Sequence, residues 1–261
     1  MTSEIRPAVP GPGPAARSER VVIVMPAYNA ARTLEDTFRA IPQGYFDEIV
    51  VVDDHSGDET ADLARRLNLK AIRHPHNVGY GGNQKTCYME ALRDGADIVV
   101  MLHPDGQYDP TIVPEMIQPI REGRADMVLG SRMAIPGGAA RGGMPWWKRI
   151  ANRFLTTCEN LAMGRRFTEC HTGYRAYSRR FLETVPFLRN ANGFVFDTEV
   201  IFQAVHFGLP VVEVPVQTRY FADASSVNFR TSVVYGLGSL WTAARFLLHR
   251  WGLVKSDKFR R

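Results

Sequence analysis

The stretch EIVVVDDHSGDETADLARRL, residues 48–67, passes from an apolar run of strand length, through a loop carrying three aspartates, into a helix opened by polar residues. Its apolar run shows no polar alternation, so both faces of the strand are expected inside the protein. The same unit recurs on either side. VVIVM (21–25) leads into NAARTLEDTFRAI, where Leu34 and Phe38 have helical spacing, and LKAIRH leads into GGNQKTCYMEALRDG. DIVVML (97–102) is followed by PTIVPEMIQPIREG, and ADMVLGSR supplies a fifth strand. Short apolar strands alternating with helices define an α/β fold, a mostly parallel central sheet with helices on both faces.

In such a sheet a ligand sits beyond the carboxyl ends of the strands. Those ends read PAYN (26–29), DDHSGD (53–58), HPDGQ (103–107) and GSR (130–132). Two acidic clusters, a proline-containing turn and an arginine converge on one edge. A buried strand that stops at Asp105 needs a reason, because an unpaired buried charge is costly. Either Asp105 caps the helix entering at Pro110, from which it stands far, or it holds a cation. No G-x-G-x-x-G follows the first strand, so the dinucleotide fingerprint is absent. Glycines lie instead at NVGYGGN (77–83), where amides at a helix start either approach a phosphate or simply form a turn.

The composition is that of an ordinary soluble domain: 261 residues, 45% hydrophobic and 23% charged. A net charge of +5 and a pI near 9.2 bias the chain toward anionic partners. Cys87, Cys158 and Cys170 are scattered and form no C-x-x-C pair, which argues against a disulfide framework or a zinc site and for a reducing cytoplasm. Residues 1–20, rich in Pro, Gly and Ala, are expected to be a disordered leader and not a secretory signal. No uncharged apolar stretch of about eighteen residues is present to span a membrane.

Taken in order, VVIVMPAYNAARTL, EIVVVDDHSGDET, HNVGYGGN, MLHPDGQYDP and MVLGSR resemble the family 2 glycosyltransferases of the GT-A fold. WWKRIANRF, HTGYRAYSRRFLE and VVEVPVQTRY resemble the dolichol-phosphate mannosyltransferase branch and its polyprenyl-phosphate relatives. The resemblance covers about residues 20–220. It implies a nucleoside-diphosphate sugar donor, UDP- or GDP-linked, and a divalent cation, Mn²⁺ or Mg²⁺. Asp105 matches the last Asp of the D-x-D motif and is thereby a metal ligand, with Gln107 its neighbour. His103 stands where the family has the first Asp. Imidazole suits Mn²⁺ better than Mg²⁺, and His103 is open to three readings: metal ligand, phosphate-facing donor or strand-end packing residue.

The resemblance further implies that Pro26, Ala27, Tyr28 and Asn29 embrace the base and ribose, with Gly79 also against the donor. Asp54 is expected to bond the nucleobase and Asp53 to support its loop, while Ala30 replaces an acidic residue. Arg132, Arg175 and Ser178 are expected to grip an acceptor phosphate, and Asp105, Arg132 and Arg175 to form the catalytic set. A phosphate acceptor is already anionic, so it needs positive charge for positioning and no strong base. Asp197 or Glu199, in the first turn of a helix within GFVFDTEVIFQAVHFG, would be the base if the acceptor were an alcohol.

Two segments carry alternatives. In WWKRIANRFLTTCENLA, Trp147, Ile150, Phe154, Cys158 and Leu161 have helical spacing. They face the core, or else Trp146, Trp147, Lys148 and Arg149 meet lipid head groups. The tail, residues 229–261, is an amphipathic helix with a basic end. It lies in a membrane interface anchored by Trp241 and Trp251, or packs on the catalytic domain or a second copy, which leaves a homo-oligomer open. Between leader and tail, residues 21–228 form the GT-A domain, with glycine-rich 133–145 a linker or a flap over the donor.

The expected activity is transfer of a sugar to a polyprenyl phosphate by a single inverting displacement. The enzyme would sit peripherally on the inner face of the cell membrane, in cell-envelope glycan synthesis, with no nucleic-acid partner. The alternatives are transfer to a hydroxyl of a glycan or small molecule, and a non-catalytic nucleotide-sugar binding module.

Overall fold

The computed structural model describes residues 19–220 and 229–260. The expected leader therefore lies outside the described residues up to position 18, and at its end the Arg20 amide already donates to Asp97 at 2.8 Å. The elements run β1 Val21–Ala27, α1 Leu34–Ala40, β2 Glu48–Asp53, α2 Thr60–Arg66, β3 Lys70–Arg73, α3 Tyr80–Arg93 and β4 Ile98–Met101. They continue with α4 Val113–Arg121, β5 Met127–Ser131, α5 Gly138–Arg141, α6 Trp146–Met163, β6 Arg175–Ser178 and α7 Arg179–Thr184. The chain then forms α8 Phe196–His206, β7 Val211–Pro215 and α9 Phe229–Arg250.

Among the described residues seven strands form one sheet in the order β3-β2-β1-β4-β6-β5-β7. All pairings are parallel except those of β6, which runs antiparallel to both β4 and β5. The unbroken apolar strands bury both faces. Val22, Val24, Val50, Val52, Val99 and Met101 look into one core, shared with α3 and α8. Val21, Ile23, Met25, Ile49, Val51, Ile98 and Val100 look into the other, shared with α1 and α4. Alternate residues of one strand feeding two cores is the period-2 geometry of a fully covered sheet.

The reversal of β6 has a functional consequence. Its register pairs Arg175 with Met101 on one side and Leu129 on the other, while Ser178 pairs with Ile98. Arg175 thus lies at the carboxyl edge of the parallel strands and Ser178 at the opposite edge.

Helix α6 overturns the core-facing reading. It buries Asn152, Thr156 and Glu159 and exposes Trp146, Ile150, Phe154 and Leu161, the last at 78%. Helix α9 joins it, with Leu155 Cδ1 3.5 Å from where a Cβ on Gly236 would stand. It buries Ser239, Thr242, Ala243 and Phe246 against the body and exposes Val233, Val234, Leu237 and Trp241. No helix among the described residues is long and apolar enough to cross a membrane. The 133–145 segment is no plain linker: it contains α5, and the Gly142 carbonyl accepts from the Tyr220 amide at 2.7 Å.

The opening of α3 is packed without slack. A Cβ on Gly81 would lie 2.5 Å from the Ala191 carbonyl oxygen and 2.6 Å from Phe196 Cβ. Backbone cannot yield as a flexible side-chain end can, so Gly81→Ala should destabilise the protein by about 1–3 kcal/mol. The check is a lower urea midpoint at unchanged m-value.

Candidate active site

The carboxyl edge is organised by loops sewn to one another. After β1, Asn29 adopts φ +52°, a left-handed conformation that asparagine tolerates. Its amide donates to Ser56 Oγ at 2.8 Å and its Oδ1 accepts from the Gly57 amide at 2.9 Å. The Ala30 amide reaches Thr60 Oγ1 at 2.8 Å and the Ala31 amide reaches Asp58 at 3.1 Å. Partial burial pushes the Asp58 carboxyl up, but hydrogen bonds from Thr60 and Ala31 outweigh it and hold the group below the usual range. The turn leaves Tyr28 outside, 58% exposed, beside the buried Pro26 and Ala27.

The two aspartates after β2 are both buried. Asp53 accepts from the amide and hydroxyl of Ser56 and lies 3.3 Å from Arg73 Nε, which is the loop-supporting part expected of it. Asp54 faces the 74–79 turn. It accepts from the amides of Val78 and Gly79 at 2.8 and 3.0 Å and meets His74 Nδ1 at 2.9 Å. This corrects two expectations. Asp54 is an organiser of the neighbouring turn instead of an open nucleobase partner. Gly79 has no amide to offer a phosphate, since Asp54 takes it, while the Gly81 and Gly82 amides go to the Asn192 carbonyl at 2.7 and 3.2 Å. Gly79 is glycine because its φ is +89° and a Cβ would stand 2.7 Å from that carbonyl.

Asp105 projects from the turn after β4. Its Oδ1 accepts from the Gln107 amide at 3.0 Å, and the turn is pinned by the Thr33 hydroxyl on the Pro104 carbonyl at 2.5 Å. On the far side the Gln107 carbonyl accepts from the Arg219 amide at 2.9 Å. The helix cap at Pro110 is Asp109, whose carboxylate accepts from the Thr111 amide at 2.9 Å, so Asp105 is not that cap. His103 stacks on Tyr80 with centroids 5.4 Å apart, and its Nε2 lies 3.2 Å from the Tyr80 hydroxyl.

Arg132 closes the edge after β5. Its Nε donates to Glu169 at 2.8 Å, its Nη1 to the Tyr220 hydroxyl at 2.6 Å and its Nη2 to Glu169 and the His171 carbonyl. Burial pulls its pKa down, but Glu169 and two tyrosines raise it further, so it stays protonated. Glu169, fully buried, also accepts from Asn152 at 2.7 Å.

Four other expected residues are not brought to the open cleft. Arg175 has no exposed surface; it donates to the carbonyls of Thr172, Asp197 and Cys170 at 2.8, 2.9 and 3.3 Å and pairs with Asp197. It supports the site from below and cannot grip a phosphate. Ser178, at the opposite sheet edge, caps α7 by accepting from the Phe181 amide at 3.0 Å and donates to Asp126 at 2.6 Å. Glu199 is engaged by Lys258 and the Ala191 amide, which leaves no role as a base. Asp197 stands behind Tyr80, accepting its hydroxyl at 2.7 Å and Gln84 at 3.2 Å.

Tyr80, Asn192 and Tyr220 were not expected at the site. Their partners are 23 to 117 residues away in the chain, and no local spacing announces them. The His–Pro–Asp turn and the HTGYR segment were the only signals that pointed near them.

A parallel sheet with one reversed strand, acidic loop ends and an arginine at the carboxyl edge defines the GT-A class of sugar-transferring folds. The chain belongs to glycosyl transferase family 2, whose family pattern matches residues 22–185. It is 29% identical to a UDP-N-acetylglucosamine–dolichyl-phosphate N-acetylglucosaminyltransferase of Methanococcus voltae, over 90% of this chain and 97% of that one. It is 29% identical to a polyprenol monophosphomannose synthase of Mycolicibacterium smegmatis, over 90% of this chain and 88% of that one. Among solved structures, the glucosyl-3-phosphoglycerate synthase of Mycobacterium tuberculosis with UDP superposes at a TM-score of 0.69, with 19% identity over 98% of this chain and 88% of that one.

Two outcomes test these placements. Glu169→Gln leaves the Arg132 charge buried without its partner and should cost about 3 kcal/mol at neutral pH. Burial raises the Glu169 pKa, yet Arg132 and Asn152 bring it below the ordinary 4.5. Its contribution is therefore complete above that value and is lost as pH falls through the folded one, so the gap between the two proteins should narrow in acid. Ser178→Ala should cost about 1 kcal/mol through the lost cap and leave turnover per folded molecule unchanged.

Proposed function

We propose that the protein transfers a sugar, with inversion, from a nucleoside-diphosphate sugar to a polyprenyl phosphate held at a membrane surface. The inverted helix α6 carries this reading. A helix that buries Glu159 and Asn152 while exposing Trp146, Ile150, Phe154 and Leu161 is unfavourable in water alone and suits a lipid interface. Phe154 and Leu237 flank the Leu155–Gly236 contact, so α9 extends the same apolar surface. Both named relatives act, by their names, on dolichyl or polyprenol phosphates.

Two cations support the choice of such an acceptor. Lys148, in the first turn of α6, has its pKa lowered by burial and by the charge of Arg132. Two positive groups that feel each other at the junction of apolar face and sheet edge favour a phosphate between them. On the donor side, exposed Tyr28 offers a ring to a base and Asp105 a carboxylate to a diphosphate-bound cation.

The residues fit a cation of that kind. Among the described residues no group of three or more His, Cys, Asp or Glu converges to enclose an ion. A site with one carboxylate leaves coordination positions for phosphate oxygens and water, the usual manner of nucleotide-bound Mg²⁺ and Mn²⁺. When bound, the cation neutralises charge developing on the departing diphosphate. The acceptor phosphate oxygen forms a bond to the anomeric carbon as the bond to the diphosphate oxygen breaks, and the electron pair leaves with the diphosphate. Arg132 and Lys148 orient the acceptor, and no general base is required.

The test is incubation with a panel of UDP- and GDP-sugars, Mn²⁺ or Mg²⁺ and undecaprenyl phosphate, with the glycolipid identified by mass spectrometry. Asp105→Asn should lower turnover on the order of a hundredfold with the fold intact. No glycolipid from any donor would overturn the reading. Ile150→Glu with Phe154→Glu should reduce sedimentation with anionic vesicles and turnover of the long-chain acceptor, while sparing a short water-soluble one. An equal loss with both acceptors would remove the membrane from the proposal.

A further inference from the structure

His103 is seated with more care than a packing residue at a strand end needs. One face of its ring lies on Tyr80, 5.4 Å between centroids and 20° between planes. On another side is Gly173, where a Cβ would stand 2.8 Å from Nε2 and 2.9 Å from Cδ2. Any side chain at position 173 would push the imidazole out, so the HTGYR glycine and the His103 ring are a matched pair.

The hydrogen-bond network assigns the tautomer. The Tyr80 hydroxyl lies 2.7 Å from Asp197 Oδ2 and 3.2 Å from His103 Nε2, and it has one hydrogen to give. Asp197 Oδ1 faces the buried Arg175 guanidinium, whose Nη1 is 3.5 Å away, and accepts from Gln84 at 3.2 Å. The charged acceptor takes that hydrogen. The Tyr80 oxygen is then an acceptor, and His103 must donate to it from Nε2. A neutral imidazole with hydrogen on Nε2 has its lone pair on Nδ1, and no described residue bonds that atom. A ring nitrogen that donates into an oriented acceptor while the other stays open is the arrangement of a metal-bound histidine.

We propose that His103 Nδ1 binds the divalent cation directly together with Asp105, that Tyr80 and Asp197 fix the tautomer that allows it, and that the site consequently prefers Mn²⁺ to Mg²⁺. This rests on the donor reading of the proposed function. Imidazole nitrogen ranks above carboxylate oxygen for Mn²⁺ relative to Mg²⁺, so replacing the family's aspartate with histidine changes which ion is held. Tyr80 acts through His103 and is a positioning residue.

The experiment is pulsed electron paramagnetic resonance on Mn²⁺ bound with UDP or GDP to the full chain labelled with ¹⁵N-histidine, which separates protein nitrogen from that of the base. A directly coordinated ¹⁵N should give a coupling that disappears in His103→Gln. Calorimetry should show a smaller ratio of Mn²⁺ to Mg²⁺ affinity in His103→Asp. Tyr80→Phe should lose about tenfold in Mn²⁺ affinity, as the loss of an outer partner of a ligating histidine does. Bound Mn²⁺ without ¹⁵N coupling overturns the proposal and leaves the donor reading intact. No Mn²⁺ bound with either nucleotide, alongside metal-independent turnover, overturns the metal reading beneath it. Circular dichroism and melting of each variant show that the comparison is between folded proteins.

Discussion

A guanidinium without exposed surface stands at the middle of the functional edge, and the loops around it take their positions from its hydrogen bonds. Arg175 donates to the carbonyls of Cys170, Thr172 and Asp197 and pairs with the Asp197 carboxylate. Taking that charge out of water costs several kcal/mol, and the cost is met only if every donor finds a partner. Those partners come from the loop before β6 and from the first turn of α8, so satisfying the arginine brings the two segments together. Asp197 then holds Tyr80, and Tyr80 holds His103. The rigidity of the 103–107 turn is in part the rigidity of a buried ion pair two steps away.

Much of this frame is readable along the chain because it is local. VVIVM, EIVVVDD and DIVVML have the length and apolar continuity of strands covered on both faces, and their ends carry PAYN, DDHSGD and HPDGQ to one edge by the geometry of a parallel sheet. The reversed strand is not readable in this way. RAYS carries no sign of its direction, and direction decides that Arg175 is at the functional edge and Ser178 is not. A resemblance that groups Arg175 and Ser178 by nearness in sequence therefore mistakes a four-residue strand for a single site. Asp54 and Gly79 fail for a related reason. Both were expected to look outward, yet carboxylate and amide satisfy one another at 3.0 Å.

Helix α6 shows a different limit. Its periodicity was plain, with Ile150, Phe154 and Leu161 on one side. Periodicity separates an apolar face from a polar one but does not say which of them meets solvent. In water the apolar face is normally inside. Here the polar face holds Asn152, which donates to Glu169, and Glu159, which lies 3.2 Å from His171, so it has specific buried partners and is turned inward. The apolar face is left outside.

The two faces of α6 are joined in function by this inversion. The His171 ring lies between α6 and α9, its Nε2 3.2 Å from the Glu159 carboxylate and its Nδ1 hydrogen-bonded to the Tyr235 hydroxyl at 2.5 Å. The His171 carbonyl accepts from Arg132, and Asn152 of the same helix steadies the Glu169 that orients that arginine. The helices that present apolar surface outside are thus the ones that set the position of Arg132 within. A lipid phosphate of the kind proposed as acceptor would arrive at a fixed depth beneath the interface that holds its chain. Arg132, tied to α6 and α9 through Glu169 and His171, would keep its own depth relative to that surface, and a loop-borne cation without such ties would not.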